Sequence, residues 1–375
     1  MTPDDATLIE WLRDLVEVET PSGDTPGLDE GFIVLSAQVE RAFGRQPTVG
    51  HVSGTPYLYL PALAQPSVLV VGHLDTVWPR GTLAEIPFTV SDGVARGPGV
   101  LDMKAGLVIA SAAVAQCAVS EHVGLLVTGD EEIGSPIGRS LVEQHCADYR
   151  AVFVPEAAAS GGAVKVGRKG VSIYRLSLLG REAHAGLEPE RGLNTTVEMG
   201  ALIGDLVALQ DDELGTTVTP TKATSGVTGN TIPAEAVLHV DVRAWTMAEL
   251  ERVDTAIRSR VLRISGIEML IHGGINRPPM DPEKSVELVE IAKQAAVRAG
   301  MDALQTARVG GGSDASFSAA LGIPTLDGVG ACGEGAHARH EWVDISSLSL
   351  RARWLARTWE LLIGAERGAG TGLRP

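Results

Sequence analysis

Apolar residues along this chain follow two different periods, and the change between them divides the sequence. Leu8, Trp11, Leu12 and Leu15 recur at helical spacing behind the start signal Thr2-Pro3-Asp4-Asp5, which predicts an opening amphipathic helix. Three short apolar runs rich in valine and leucine follow at 67–72, 123–128 and 151–155, the pattern of strands buried on both faces. A helical stretch at 105–119 lies between the first two, so this part reads as α/β with a mainly parallel sheet. From 171 the period shortens to two: 171–180, 216–225, 236–244 and 267–273 alternate apolar and polar residues, as strands with one wet face do. One helix begins near Asn194 and another at Thr246, where Thr246 and Glu249 make a capping-box pattern ahead of the stripe Leu250, Val253, Ile257, Val261. The order βαββαβ is ferredoxin-like. The expected organisation is therefore a discontinuous first domain, 1–170 with 275–375, and an inserted domain at 171–274. Asp281 as N-cap and Pro282 at the first helical position open the return, followed by a glycine-rich turn, a strand near 323–326 and a terminal helix; the tail 368–375 is expected to fray.

The 375 residues, 44% of them hydrophobic, suffice for two substantial cores. A formal net charge of −16 repels nucleic acid and anionic membranes. No apolar run approaches the roughly 20 residues of a membrane span. The start Met1-Thr-Pro-Asp-Asp-Ala lacks the basic and apolar regions of a signal peptide, so a cytoplasmic location is expected. Cys117, Cys146 and Cys332 are too few and too scattered for a disulfide framework or a thiolate zinc site.

Each central run ends in polar residues: His73-Leu-Asp75 after the first, Asp130-Glu131-Glu132 after the second, Glu156 after the third. Open α/β sheets bind ligands beyond the carboxyl ends of their strands, so these clusters should converge. Singly, each has an ordinary explanation. His73 is a satisfied histidine at a strand end, Asp102 a cap for the helix that follows it, Glu156 a turn residue, His337 a surface histidine. Three consecutive acids are harder to dismiss, because they repel one another unless cations or solvent offset them. Together His73, Asp102, Glu131, Glu132, Glu156 and His337 supply imidazoles and carboxylates for a pair of divalent ions sharing one carboxylate, and zinc suits the set best. Two ions about 3.5–4 Å apart lower the pKa of a shared water and polarise a carbonyl, while a spare carboxylate moves protons.

With these pieces in this order, the sequence resembles the zinc-dependent peptidases and deacylases that include glutamate carboxypeptidase, acetylornithine deacetylase and succinyl-diaminopimelate desuccinylase. The pieces are Gly-His-Leu-Asp-Thr, Gly-Pro-Gly-x-x-Asp-Met-Lys, Thr-Gly-Asp-Glu-Glu-Ile-Gly-Ser and Gly310-Gly-Gly-Ser-Asp. The likeness covers nearly the whole chain and is closest to glutamate carboxypeptidase. It implies that His73 and Glu156 hold one zinc, Glu132 and His337 the other, and that Asp102 bridges them. By the same resemblance Asp75 stands behind His73 and Glu131 is the general base. Cobalt or manganese should substitute for zinc. His340, three residues after His337, occupies a place where many relatives carry an acid, but the spacing of His337 to Glu341-Trp-Val-Asp fits better.

The resemblance also makes the inserted domain a lid and dimerisation domain, with His184 reaching a partner's site to steady the oxyanion and Asn230 as a further, substrate-binding position. Arg243 has a fork suited to a substrate carboxylate, an ordinary surface salt bridge being its alternative; Arg277 is a second candidate for the same task. Gly311 lies in a glycine turn expected to line the substrate pocket, and the basic stretch Lys165-Val-Gly-Arg-Lys169 marks a hinge or a contact for an acidic substrate. The expected activity is hydrolysis of an amide beside a free carboxylate. Carboxypeptidase action on small peptides comes first, N-acyl-amino-acid deacylation second, and di- or aminotripeptidase action or an inactive binding protein behind both.

Overall fold

The computed structural model describes residues 3–369, with side chains through 364. The described residues form two compact units: one comprises the chain up to 167 with 281–309 and everything from 313 on; the other comprises 168–280 with 310–312.

The first unit is built on an eight-stranded sheet whose four central members, Val123–Thr128, Val68–His73, Ala151–Val154 and Thr325–Asp327, run parallel in that order. Every residue of these four strands is buried, which is why they read as unbroken apolar runs. Antiparallel strands extend both flanks. On one side the hairpin Thr48–Val52 and Thr55–Leu60, turning at Ser53-Gly54 with both residues at positive φ, pairs with Val123–Thr128; on the other Val164–Arg168 pairs with Thr325–Asp327. These flanking strands were not legible as such in the sequence.

Helix Ala105–Gln116 carries small side chains and is buried around its circumference, in contact with the helices Thr25–Phe43 and Ser346–Ala369. Its Gly106 permits the closest approach: a Cβ there would lie 1.8 Å from the Pro155 carbonyl oxygen, immediately before Glu156. The opening helix, Asp5–Val16, is capped by Asp4, whose carboxylate accepts from Thr7 N–H. The terminal helix continues through Gly368 and Ala369, where fraying was expected, and 370–375 lie outside the described residues.

The second unit is a four-stranded antiparallel sheet ordered Thr217–Ser225, Glu235–Ala244, Gly170–Leu179, Glu268–Arg277, with helices Thr195–Val207 and Met247–Arg258. Chain order βαββαβ with this strand order is the ferredoxin-like arrangement. Asn194 caps the first helix and Thr246 the second. Glu249 does not complete the capping box, because its carboxylate takes Thr216 and Arg252 instead. A separate core including Tyr174, Leu176, Leu202, Leu238, Val240 and Leu250 holds this unit together.

Candidate active site

His73 is the last residue of its strand and pairs in register with Thr128, two residues before Asp130, so the parallel sheet itself brings the first two polar clusters side by side. Its ring is then fixed from behind. Nδ1 lies 3.0 Å from the Asp75 carbonyl oxygen and 3.4 Å from Asp75 Oδ1, which leaves Nε2 pointing toward Asp102 Oδ1 at 3.3 Å and Glu156 Oε1 at 3.6 Å. Asp75 is fully buried and does more than orient His73. Its carboxylate accepts from the backbone N–H of Glu131 and of Glu132, each at 3.1 Å, and from Ser22 Oγ at 2.6 Å. One residue thereby fixes both the imidazole, chiefly through its carbonyl oxygen, and the turn of the paired glutamates, through its carboxylate.

The three consecutive acids have different surroundings. Asp130 turns inward and accepts from Ile137 and Gly138 N–H, a structural role that the bare run did not reveal. Glu132 lies 3.1 Å from His337 Nε2, and Glu131 sits close enough to His73 to favour its charged form.

Asp102 sits in a turn, Val100–Lys104, ahead of the helix Ala105–Gln116, and its extended φ/ψ and lack of a capping bond remove the reading as a helix cap. Its two carboxylate oxygens face different histidines: Oδ1 approaches His73 Nε2 and Oδ2 approaches His337 Nε2, both at 3.3 Å. His337 arrives from a small antiparallel sheet, Gly333–Glu334, Trp342–Asp344, Val94–Arg96 and Thr89–Ser91, which joins the His337 loop to the segment leading into the Asp102 turn. His337 adopts φ +63°, a sparsely populated conformation for a non-glycine residue. His340 stays exposed on the same loop, so the structure brings His337 and not His340 to the cluster.

The cluster attracts positive charge. Burial pushes His73 down, but the carboxylates of Asp102, Asp75 and Glu156 around its ring outweigh it and hold the imidazole well above its usual range. Asp102 and Glu132 raise His337 to about 10 against a smaller desolvation effect. Burial alone would raise Asp102, yet the two histidines hold it far below the ordinary carboxylate range. Glu132 goes the other way: its burial dominates and His337 offsets it only in part.

Donor chemistry and geometry fit a metal centre. His73 Nε2, Asp102 Oδ1 and Glu132 Oε1 are buried and make no hydrogen bond among the described residues, and a ligand atom from each lies within 4.8 Å of the others. Buried polar atoms aimed at a common point rather than at hydrogen-bond partners are what bound cations satisfy. An all-nitrogen-and-oxygen set suits zinc, cobalt or manganese.

In the second unit, His184 and Asn230 are neighbours: Ala183–His184 pairs with Thr231–Ile232, and Ala185 N–H donates to the Asn230 carbonyl oxygen at 2.9 Å. His184 Nδ1 accepts from Gly186 and Leu187 N–H at 3.1 and 3.2 Å. That places the imidazole proton of the neutral ring on Nε2, which leaves an exposed donor. Arg243 is already engaged. Nε and Nη2 grip Asp241 at 2.9 and 3.1 Å, and Nη1 donates to the Gly310 carbonyl oxygen at 2.9 Å, leaving two of the five N–H donors of a guanidinium. Arg277 is buried beneath Gly312, and Arg168 donates to the Gly311 and Gly312 carbonyl oxygens at 3.0 and 2.9 Å. Lys169 donates to the Gly215 carbonyl oxygen and lies over the Trp245 ring, so Arg168 and Lys169 of the basic stretch are engaged in internal contacts. Gly311 is thus part of a loop whose carbonyl groups are held by arginines.

The profile of Peptidase family M20/M25/M40 matches residues 69–361. Carboxypeptidase G2 of Pseudomonas sp. (strain RS-16) is 29% identical over 376 residues, covering 95% of this chain and 89% of that one. Succinyl-diaminopimelate desuccinylase of Legionella pneumophila (strain Paris) is 26% identical over 290 residues, covering 70% and 75%. The solved structure of a tripeptidase from Staphylococcus aureus subsp. aureus Mu50 superposes with a TM-score of 0.75 at 22% identity, covering 97% of this chain and all of that one.

Proposed function

Because the chain belongs to peptidase family M20/M25/M40 and is a hydrolase, we propose that it splits an amide bond adjacent to a free carboxylate, as a carboxypeptidase of the glutamate carboxypeptidase type. The observation that carries this reading is the placement of Asp102, with one carboxylate oxygen toward His73 and the other toward His337. His73 and Glu156 would hold one divalent ion, Glu132 and His337 the other, and Asp102 would be shared. When bound, such a pair supplies Lewis acidity to the scissile carbonyl and acidity to an attacking water. Glu131 takes the proton from that water and passes it to the leaving nitrogen, while His184 donates from Nε2 to the developing oxyanion.

Arg243 receives the substrate carboxylate on its two remaining N–H donors, with Asp241 orienting the guanidinium. An N-acyl amino acid should therefore be hydrolysed and its C-terminal amide should not. Arg243→Ala should lower kcat/KM by tens- to thousands-fold, roughly 2–5 kcal/mol, and should erase the preference for the acid. Arg243→Lys should recover only part, since an ammonium lacks the planar fork. Equal wild-type rates on acid and amide would remove the carboxylate anchor. A deacylase acting on N-acyl amino acids shares every one of these features and differs only in its acyl-side preference.

His184 and Arg243 stand at opposite ends of the second unit's sheet. The His184 hairpin follows Leu179, which pairs with Glu235, and Arg243 lies eight residues further along the same strand, roughly 26 Å at the rise of an extended chain. A scissile carbonyl and the neighbouring α-carboxylate are separated by only on the order of 5 Å. If both side chains serve one substrate, they come from two copies, which supports a homodimer. Mixing inactive His184→Ala with inactive Glu131→Gln should regenerate activity once subunit exchange is established, because the mixed dimer contains one site with both groups intact. A fully active monomer would eliminate the two-chain arrangement.

A further inference from the structure

Glu341 entered the sequence reading only as a spacing mark, yet it is among the most completely bonded carboxylates described in the chain. It is 3% exposed and accepts four hydrogen bonds. Oε1 takes the backbone N–H of Leu101 at 2.7 Å and of Asp102 at 3.0 Å; Oε2 takes the N–H of Gly99 at 3.0 Å and the indole Nε1–H of Trp78 at 3.2 Å. Three of the four donors belong to the single turn that carries Asp102. A buried carboxylate is tolerated only when its lone pairs are filled, and here one turn of backbone fills most of them.

We infer that Glu341 is the positioning residue for Asp102: its carboxylate grips the Gly99–Asp102 backbone so that the two Asp102 oxygens are held toward His73 and His337. Because Glu341 and His337 belong to one loop, the same grip ties the histidine of one ion to the carboxylate shared by both. The inference rests on the reading of Asp102 as the shared ligand. Glutamine cannot replace Glu341. Either orientation of its amide sets an NH2 group against two of the N–H donors and leaves them buried without an acceptor, which drives the turn to rearrange.

The test uses purified full-length E341Q, with zinc affinity measured by competition against a chromophoric chelator, and circular dichroism and thermal unfolding run on the same samples. The expected result is a folded protein that keeps its first zinc and binds the second roughly 10- to 100-fold more weakly. At saturating zinc, kcat should fall about tenfold or more while KM stays within about threefold. A residue that merely stabilised the fold would lower the unfolding temperature and leave zinc affinity unmoved, so two zinc ions bound with wild-type affinity overturn the inference. Should E341Q not fold, Trp78→Phe replaces it: loss of one donor to Glu341 Oε2 should weaken the second zinc several-fold, and unchanged affinity overturns the proposal. Wild-type protein that binds no zinc overturns the ligand assignment itself, a result distinct from a wild type with two ions and an indifferent variant.

Discussion

Removal of divalent metal with a chelator should abolish hydrolysis, and zinc, cobalt or manganese should restore it, with up to two zinc ions bound per chain. The expectation follows from three buried ligand atoms, His73 Nε2, Asp102 Oδ1 and Glu132 Oε1, that converge without hydrogen-bonding one another. Its pH dependence has a definite sign. His73 is held above its usual range, and His337 is raised to about 10, so both imidazoles carry protons in the metal-free chain at neutral pH. Binding must expel those protons, so apparent zinc affinity should rise with pH between 6 and 9, by about tenfold per unit for each proton released. Elemental analysis is the first check. Chelator-resistant turnover in protein without metal would end the assignment, and an affinity that falls as pH rises would contradict the electrostatics of the cluster.

Glu131→Gln should reduce kcat by about 10²- to 10⁴-fold with both zinc ions still bound, whereas Glu132→Gln should weaken one ion. The two side chains are adjacent in sequence, and Asp75 holds both backbone amides at 3.1 Å, so neither substitution removes the support of the turn. What differs is what each carboxylate faces. Glu132 lies 3.1 Å from His337 Nε2 in a buried setting, as a ligand does. Glu131, the proposed base, acts on His73 only through its charge. Zinc content measured alongside steady-state kinetics separates the two roles. Near-normal turnover in Glu131→Gln, or loss of zinc from it, would reverse them.

Much of this architecture is written in local pattern. Unbroken apolar runs at 67–72, 123–128 and 151–155 announce strands buried on both faces, and in a parallel sheet such strands deliver whatever follows them to a common edge, so His73, the Glu131-Glu132 pair and Glu156 converge for reasons visible in one dimension. Period-two alternation likewise marks the second unit, and Asn194 and Thr246 cap its helices as their side chains dictate. The remaining features depend on contacts between distant residues that impose no period. Glu341 reaches the Asp102 turn across 239 positions. Asp130 differs from its two acidic neighbours only because Ile137 and Gly138 present their amides to it. His337 outranks His340 because the loop, with His337 at positive φ, brings its Nε2 to 3.3 Å from Asp102 and 3.1 Å from Glu132. Arg243 carries a fork in any sequence reading, but only the folded strand shows Asp241 and Gly310 already holding three of its donors. Side-chain type and spacing therefore determined which groups this protein brings to its chemistry. Tertiary packing decided which of them face one another, because a buried carboxylate or imidazole settles wherever donors and charges from elsewhere in the chain satisfy it.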